Sequence, residues 1–178
     1  MTSFTDSPDR YGLVSRLFHW GMAALFALQF ASAAAHWALP RENTLRDALW
    51  RYHPDLGVTL LLLVLLRGAW GLWNLSNRPT EMDLMGYAAK AGHAGLYALM
   101  VIVPAIKIIG SAGGTRGFSY LGFQIFPAQD ATIAWTKTIS EWHGTLGWIL
   151  AAVVLGHIGA AIVWHQLIKR DGVLKRMA

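Results

Sequence analysis

An all-α membrane protein, a four-helix transmembrane bundle with both termini cytoplasmic, is the fold class this sequence predicts, and three observations predict it. The 178 residues are 54% apolar and only 14% charged, with nine Trp, a balance too apolar for an ordinary soluble domain. Four apolar runs are each long enough to cross a hydrocarbon layer about 30 Å thick. The basic residues gather at the ends of those runs, so the net charge of +5 reads as an orientation signal and not as a nucleic-acid footprint.

Residues 1–11 are polar and carry Asp6, Pro8, Asp9 and Arg10. They lack the apolar core and cleavage site of a secretory signal. The first span covers residues 15–39, with His19 one turn inside its start. Residues 40–55 are charged and amphipathic, and Asn43 or Thr44 can cap a short helix there. The second span covers residues 54–75. His53 sits at its start, just before Pro54, which a first helical turn tolerates because its N–H groups have no intrahelical partner; alternatively Pro54 kinks a longer helix that begins outside the membrane.

Residues 76–90, with Asn77, Arg78, Pro79 and Asp83, form a polar link. The third span, 91–110, contains Pro104 and Lys107. Residues 110–117 are glycine-rich and expected to be flexible, and 118–138 are a mixed aromatic and polar stretch that cannot span. Ser140 is expected to cap the fourth span, 141–168, before the basic tail with Lys169, Arg170, Lys175 and Arg176. The spans use most of the chain, so 1–178 reads as a single integral-membrane domain. Four crossings put both termini on one side. Arg10, Arg16, Arg78, Lys90, Lys169, Arg170, Lys175 and Arg176 collect there, more than on the other side, so that side is assigned to the cytoplasm.

Zero cysteines exclude disulfides, thiolate-held iron–sulfur clusters and thioether-attached haem. A metal centre in this chain must therefore rely on His or Met. In the fourth span His143 and His157 are fourteen residues apart. Fourteen residues turn an α-helix through about four full turns and raise it about 21 Å, so the two imidazoles share a face at opposite depths. His53 starts the second span from the outer side, at the depth of His143. His19 enters the first from the inner side, at the depth of His157.

A lone intramembrane histidine is usually a polar group satisfied by backbone, but ionisable groups in spans are costly and usually functional. Four whose depths match in pairs point to two bis-histidine sites, the arrangement of a di-haem b-type cytochrome. A porphyrin against a helix also needs a small residue near its ligand. Gly57, Gly147, Ala23 and Ala161 stand four residues after His53, His143, His19 and His157. His93 has Tyr97 at that offset and reads as a hydrogen-bonding or quinone-side residue. His36 reads as an outer interfacial residue and His165 as a cytoplasmic-surface one. Arg67, fourteen residues after His53, lies at the inner depth, where it either pairs with a haem propionate or snorkels to the interface. No metalloprotease, P-loop or nucleophile-elbow motif is present, and no catalytic residue is assigned.

The residues Arg10-Tyr11-Gly12, Phe18-His19-Trp20, His53 with Gly57, Gly92-His93, Trp142-His143, Gly156-His157 and Leu174-Lys175-Arg176-Met177, in that order and spacing, resemble the bacterial cytochrome b561 family across nearly the whole chain. The resemblance implies a single cytochrome b domain in the inner membrane, with two haem b groups, one on His19 and His157 and one on His53 and His143. It also implies quinone exchange, with ubiquinone the expected substrate, and, for some relatives, superoxide oxidation at the outer face. One departure is Trp164-His165, where relatives can carry adjacent histidines. His165, His93 and Arg78 are the candidates for quinone and proton handling. Two functional readings follow: an oxidoreductase linking a quinone to a periplasmic donor or acceptor such as superoxide, or a non-enzymatic carrier or membrane-anchor subunit for a periplasmic redox partner. Lipid, and not nucleic acid, is the expected surroundings.

Overall fold

The computed structural model describes residues 3–77 and 84–177. Arg78, Pro79 and Asp83 lie outside the described residues. Among the described residues four stretches are long and apolar enough to cross a membrane, Leu13–Ala38, Thr44–Trp73, Gly86–Ala112 and Ala134–Lys169. Large apolar side chains such as Leu28, Leu62, Leu65, Leu66 and Leu155 stand exposed along them. In a bilayer those positions face hydrocarbon, and only helices that satisfy their own backbone can be placed there.

Helix α1 is Leu13–Ala38. Its first N–H groups would be orphaned at the membrane boundary, and the preceding residues satisfy them by folding back. Leu13 N–H donates to Ser3 O at 2.9 Å and Val14 N–H to Phe4 O at 3.4 Å. The buried Asp6 carboxylate accepts from Gly12 N–H at 2.9 Å. Tyr11 N–H donates to Arg176 O at 3.1 Å and Trp20 Nε1–H to Met177 O at 2.8 Å. Both ends of the chain are thus tied together on one side of the bundle, here called the terminal side.

Helix α2, Thr44–Arg51, is capped by Asn43, whose side chain accepts from the N–H groups of Leu45 and Arg46. Only Tyr52 separates it from α3, His53–Trp73, and Pro54 falls in the first turn of α3. Asn43→Ala is expected to loosen α2 by about 1 kcal/mol, read as faster amide exchange at Leu45 and Arg46 with α3 unchanged.

Helix α4 is Leu84–Ala112, with Pro104 inside it, and so starts before the third span expected at 91. The residues from Leu84 to Lys90 are mostly good helix formers, and the polar part of a span can project into water. A β-hairpin follows, β1 Phe118–Tyr120 paired with β2 Phe123–Phe126. It turns at Leu121 and Gly122, both at positive φ, 50° and 84°, a backbone that suits a two-residue hairpin turn. The hairpin is fastened to α3: Thr59 Oγ1 and Tyr120 Oη are 3.0 Å apart, and Leu121 N–H donates to Asp55 Oδ1 at 3.2 Å. It marks the side opposite the termini, the hairpin side.

Helix α5 is Ala134–Gly159 and continues as a π-helical stretch, Ala160–Lys169. Ser140 is therefore not its cap. The helix begins at Ala134 after Ile133, and Ser140 Oγ–H donates within the helix to Lys137 O at 2.9 Å. Ser140 serves packing instead: a Cβ built on Gly110 of α4 would collide with it, and one on Gly113 would collide with Thr136. The glycine-rich stretch expected to be flexible is a close helix approach, closed by Ile133 N–H donating to Gly113 O at 2.9 Å. Small residues allow such approach where no hydrophobic effect drives helices together.

The bundle interior is driest at mid-height. Leu96 and Val103 of α4 and Leu150 of α5 are buried together, with Phe26, Phe30, Leu99, Met100, Leu146, Val153 and Val154 around them. Leu150 lies midway between His143 and His157. Leu60 and Val64 of α3 are buried as well, between His53 and Arg67. An apolar layer thus separates the two ends of the bundle.

Candidate functional site

Four histidines from three helices come together in two pairs. On the hairpin side the rings of His53 and His143 have centres 6.2 Å apart and planes 83° apart. On the terminal side those of His19 and His157 are 6.3 Å and 68° apart. Each pair joins α5 to a different helix, α3 in the first case and α1 in the second.

The hydrogen bonds around the hairpin-side pair decide which ring nitrogen points inward. Ser32 Oγ–H donates to Gln29 O at 2.7 Å, so its oxygen is left to accept from His53 Nδ1–H, also at 2.7 Å. His143 Nδ1–H donates to Val103 O at 2.8 Å. Both rings therefore present Nε2 as a lone-pair donor, the tautomer a metal needs. Gln29 Nε2 donates to His53 O and to His53 Nε2, each at 3.2 Å.

On the terminal side Arg67 Nη2 donates to His19 Nδ1 at 3.1 Å, and its guanidinium carbon lies 6.0 Å from the Tyr97 ring centre. The guanidinium has no acceptor capacity, so this contact is the one that ligation through His19 Nε2 would displace. His93 is nearer to His157 than His19 is, at 5.3 Å between ring centres, and its Nδ1–H donates to Ala89 O at 2.7 Å. His36 is drawn off toward Arg46 and Trp50. His165 lies in the π-helical stretch, where its Nδ1 meets Asp171 Oδ2 at 2.7 Å, with Lys169 Nζ 3.7 Å from the same oxygen. Burial opposes charge on Asp171, but hydrogen bonds from His165 and Val173 N–H and the nearby positive charges outweigh it and hold the carboxyl below its usual range.

Gln29, Ser32, Trp50 and Asp171 are not among the residues expected from sequence. Gln29 and Ser32 did leave a signal: they stand one turn apart in an otherwise apolar run, and polar side chains in spans turn inward. Trp50 and Asp171 left none, since one sits in a charged helix and the other in a basic tail.

The prokaryotic cytochrome b561 family profile matches residues 10–178. The chain belongs to the prokaryotic cytochrome b561 family. It is 27% identical to cytochrome b561 homolog 2 of Escherichia coli strain K12 over 178 residues, covering 98% of this chain and 94% of that protein. Cytochrome b561 homolog 1 of the same strain is 23% identical over 176 residues, 95% of this chain and 97% of that protein. As a cytochrome b561 the chain is a multi-pass inner-membrane b-type cytochrome that binds haem b and takes part in electron transfer.

The residues present in this cytochrome fit that group. A metal bonded to one nitrogen of each ring at roughly 2 Å, with ring centres about 1.1 Å behind the nitrogens, needs centres roughly 6.2 Å apart. Both pairs meet this spacing. Each pair offers two donors, and among the described residues no group of three or more His, Asp or Glu could hold a metal by itself; a porphyrin supplies the four further nitrogens. Helix α5 packs closely along α4 and far less closely against α1 and α3, the helices it shares histidine pairs with. Half-buried Gly147, one turn from His143, has open space where a Cβ would stand.

Proposed function

We propose that this cytochrome holds two haem b groups, one between His53 and His143 and one between His19 and His157, and carries electrons across the membrane between them. The observation that carries the reading is the pair of matched imidazole spacings at the two ends of one bundle. When bound, each haem iron accepts and releases one electron. The chain does the rest. Ser32 and the Val103 carbonyl hold the Nδ1 protons of the hairpin-side rings, which leaves the two Nε2 atoms as the donors that would hold the haem, His53 Nε2 on release of its contact with Gln29. Arg67 supplies positive charge beside His19 for a propionate. The layer around Leu150, Val103 and Leu96 excludes water between the centres.

With the terminal side facing the cytoplasm, as the charge bias favours, a quinone such as ubiquinone exchanges near His165 and His93, and a periplasmic donor such as superoxide meets the hairpin side. Asp171 keeps a proton on His165 Nδ1 and leaves Nε2 to exchange protons with the quinone. A second reading, a carrier without its own enzymatic activity that serves a periplasmic protein, is favoured by the hairpin, where Leu121, Phe123 and Ile125 are exposed. Quinone reduction driven by superoxide with the purified protein alone supports the first; turnover only after adding a partner supports the second.

A reduced-minus-oxidised spectrum with a haem count tests the central claim. Two haems per chain and a b-type band are expected. A ratio of one or zero sinks the two-centre reading.

A further inference from the structure

Three aromatic rings run in contact from the hairpin-side surface to His53. His36 lies on Trp50 with ring centres 3.7 Å apart and planes 18° from parallel, and Trp50 lies on His53 at 4.5 Å and 25°. Such stacking brings π systems into van der Waals contact. The rings come from three elements: His36 near the end of α1, Trp50 in the last turn of α2 and His53 at the start of α3.

Trp50 is 37% exposed, while His53 is half-buried. One side chain therefore touches both the surroundings of the protein and a ring of the hairpin-side pair. Holding His53 does not require it, because Ser32 fixes Nδ1 and Gln29 fixes the carbonyl. The outer end of the stack is also secured. Arg46 Nε donates to His36 O at 3.3 Å, and its Nη2 to His36 Nε2 at 3.4 Å. The charges nearest His36 are Arg46 and Arg41 against Asp47, with Asp47 paired to Arg46 at 3.1 Å, although over residues 41–55 as a whole three Arg are balanced by Glu42, Asp47 and Asp55. A small anion is drawn to the surface around His36 more readily than a cation.

We propose that Trp50 is the electron inlet of the haem that His53 and His143 would hold: a small anionic one-electron donor meets its exposed edge, and its face, stacked on His53, carries the electron to that ring. The proposal rests on His53 and His143 being a ligand pair. The donor would lose one electron, and the haem held by His53 and His143 would gain it. No bond forms or breaks, no proton moves, and Trp50 ends the step unchanged because it acts only as a bridge. Aliphatic side chains couple donor and acceptor less well than π systems in contact, so the role depends on the aromatic ring.

The test uses the full-length haem-loaded protein and dithionite, whose active reductant is the sulfur dioxide radical anion, in a stopped-flow mixer. Trp50→Leu is expected to slow reduction of one of the two haems by about tenfold or more, while Trp50→Phe stays within roughly threefold of the parent. Both variants keep two haems, both midpoint potentials and the ferric low-spin EPR signals, and the parent rate falls as salt is raised. Wild-type kinetics in Trp50→Leu overturn the proposal. So does a slowing accompanied by lost haem, shifted potentials or altered EPR signals, which makes Trp50 a support for His53 and no more. A rate insensitive to salt removes the anionic donor. If His53→Ala keeps both haems with unchanged spectra, the ligand assignment itself fails, an outcome distinct from any Trp50 result.

Discussion

His143→Ala is expected to lose one haem of two, halving the b-type absorbance per chain, and His53→Ala to lose the same one. His19→Ala and His157→Ala are each expected to lose the other. The reason is geometric. Each pair spans the distance that a single metal between two imidazoles requires, so loss of either ring would remove half of the protein donors that would hold that haem. The two haems differ in surroundings, since only the terminal-side pair has Arg67 beside it, so redox titration identifies which is missing. His93→Ala is the informative control. Its ring lies 5.3 Å from His157, closer than two nitrogens bridged by one iron would place the ring centres, and both haems should survive its removal. Loss of a haem in His93→Ala, with none lost in His19→Ala, would falsify the terminal-side assignment.

Gly110→Leu is the second large effect expected, on stability. A Cβ at that position collides with Ser140 on the facing helix, and neither helix backbone can retreat without opening the contact that Gly113 and Thr136 make one turn away. Overpacking a close contact of this kind costs on the order of 3 kcal/mol. Thermal unfolding in detergent should show a fall of several degrees or more for Gly110→Leu. Gly95→Ala serves as the comparison, because open space surrounds that position and Ala is favoured over Gly in a helix interior by up to about 1 kcal/mol. It should be neutral or mildly stabilising. Equal destabilisation of both variants would mean that helix flexibility, and not the α4–α5 contact, sets the stability.

Much of this molecule is legible in one dimension because lipid leaves few choices. A run of apolar residues long enough to cross must be helical there to satisfy its own backbone, so four crossings and their order follow from hydropathy alone. Helical periodicity then puts His143 and His157 on one face, and the distance of each histidine from the end of its span gives its depth. Depth pairs His53 with His143 and His19 with His157, and in the structure the ring centres of these pairs are 6.2 and 6.3 Å apart, edge toward face. Segments outside the apolar runs carried no comparable constraint. Residues 118–126 have too few positions for a period to declare itself, and the hairpin is fastened only where Leu121 meets Asp55 and Tyr120 meets Thr59. The start of α5 was misplaced at Ser140 because a hydroxyl before an apolar run looks like a cap, whereas the facing glycines that make it a packing residue lie thirty positions upstream.

The sequence by itself determined the number of spans, the shared helix face of His143 and His157 and the family, since each depends on local composition or on residues within one helix. Only the tertiary structure decided how the helices are rotated against one another. That rotation places His93 beside His157, hangs His53 on Ser32 and slides Trp50 over its ring. Contacts of this kind depend on which faces meet, and the choice is made by close packing summed over the whole bundle, as at Gly110 and Ser140. No single stretch of the chain contains it.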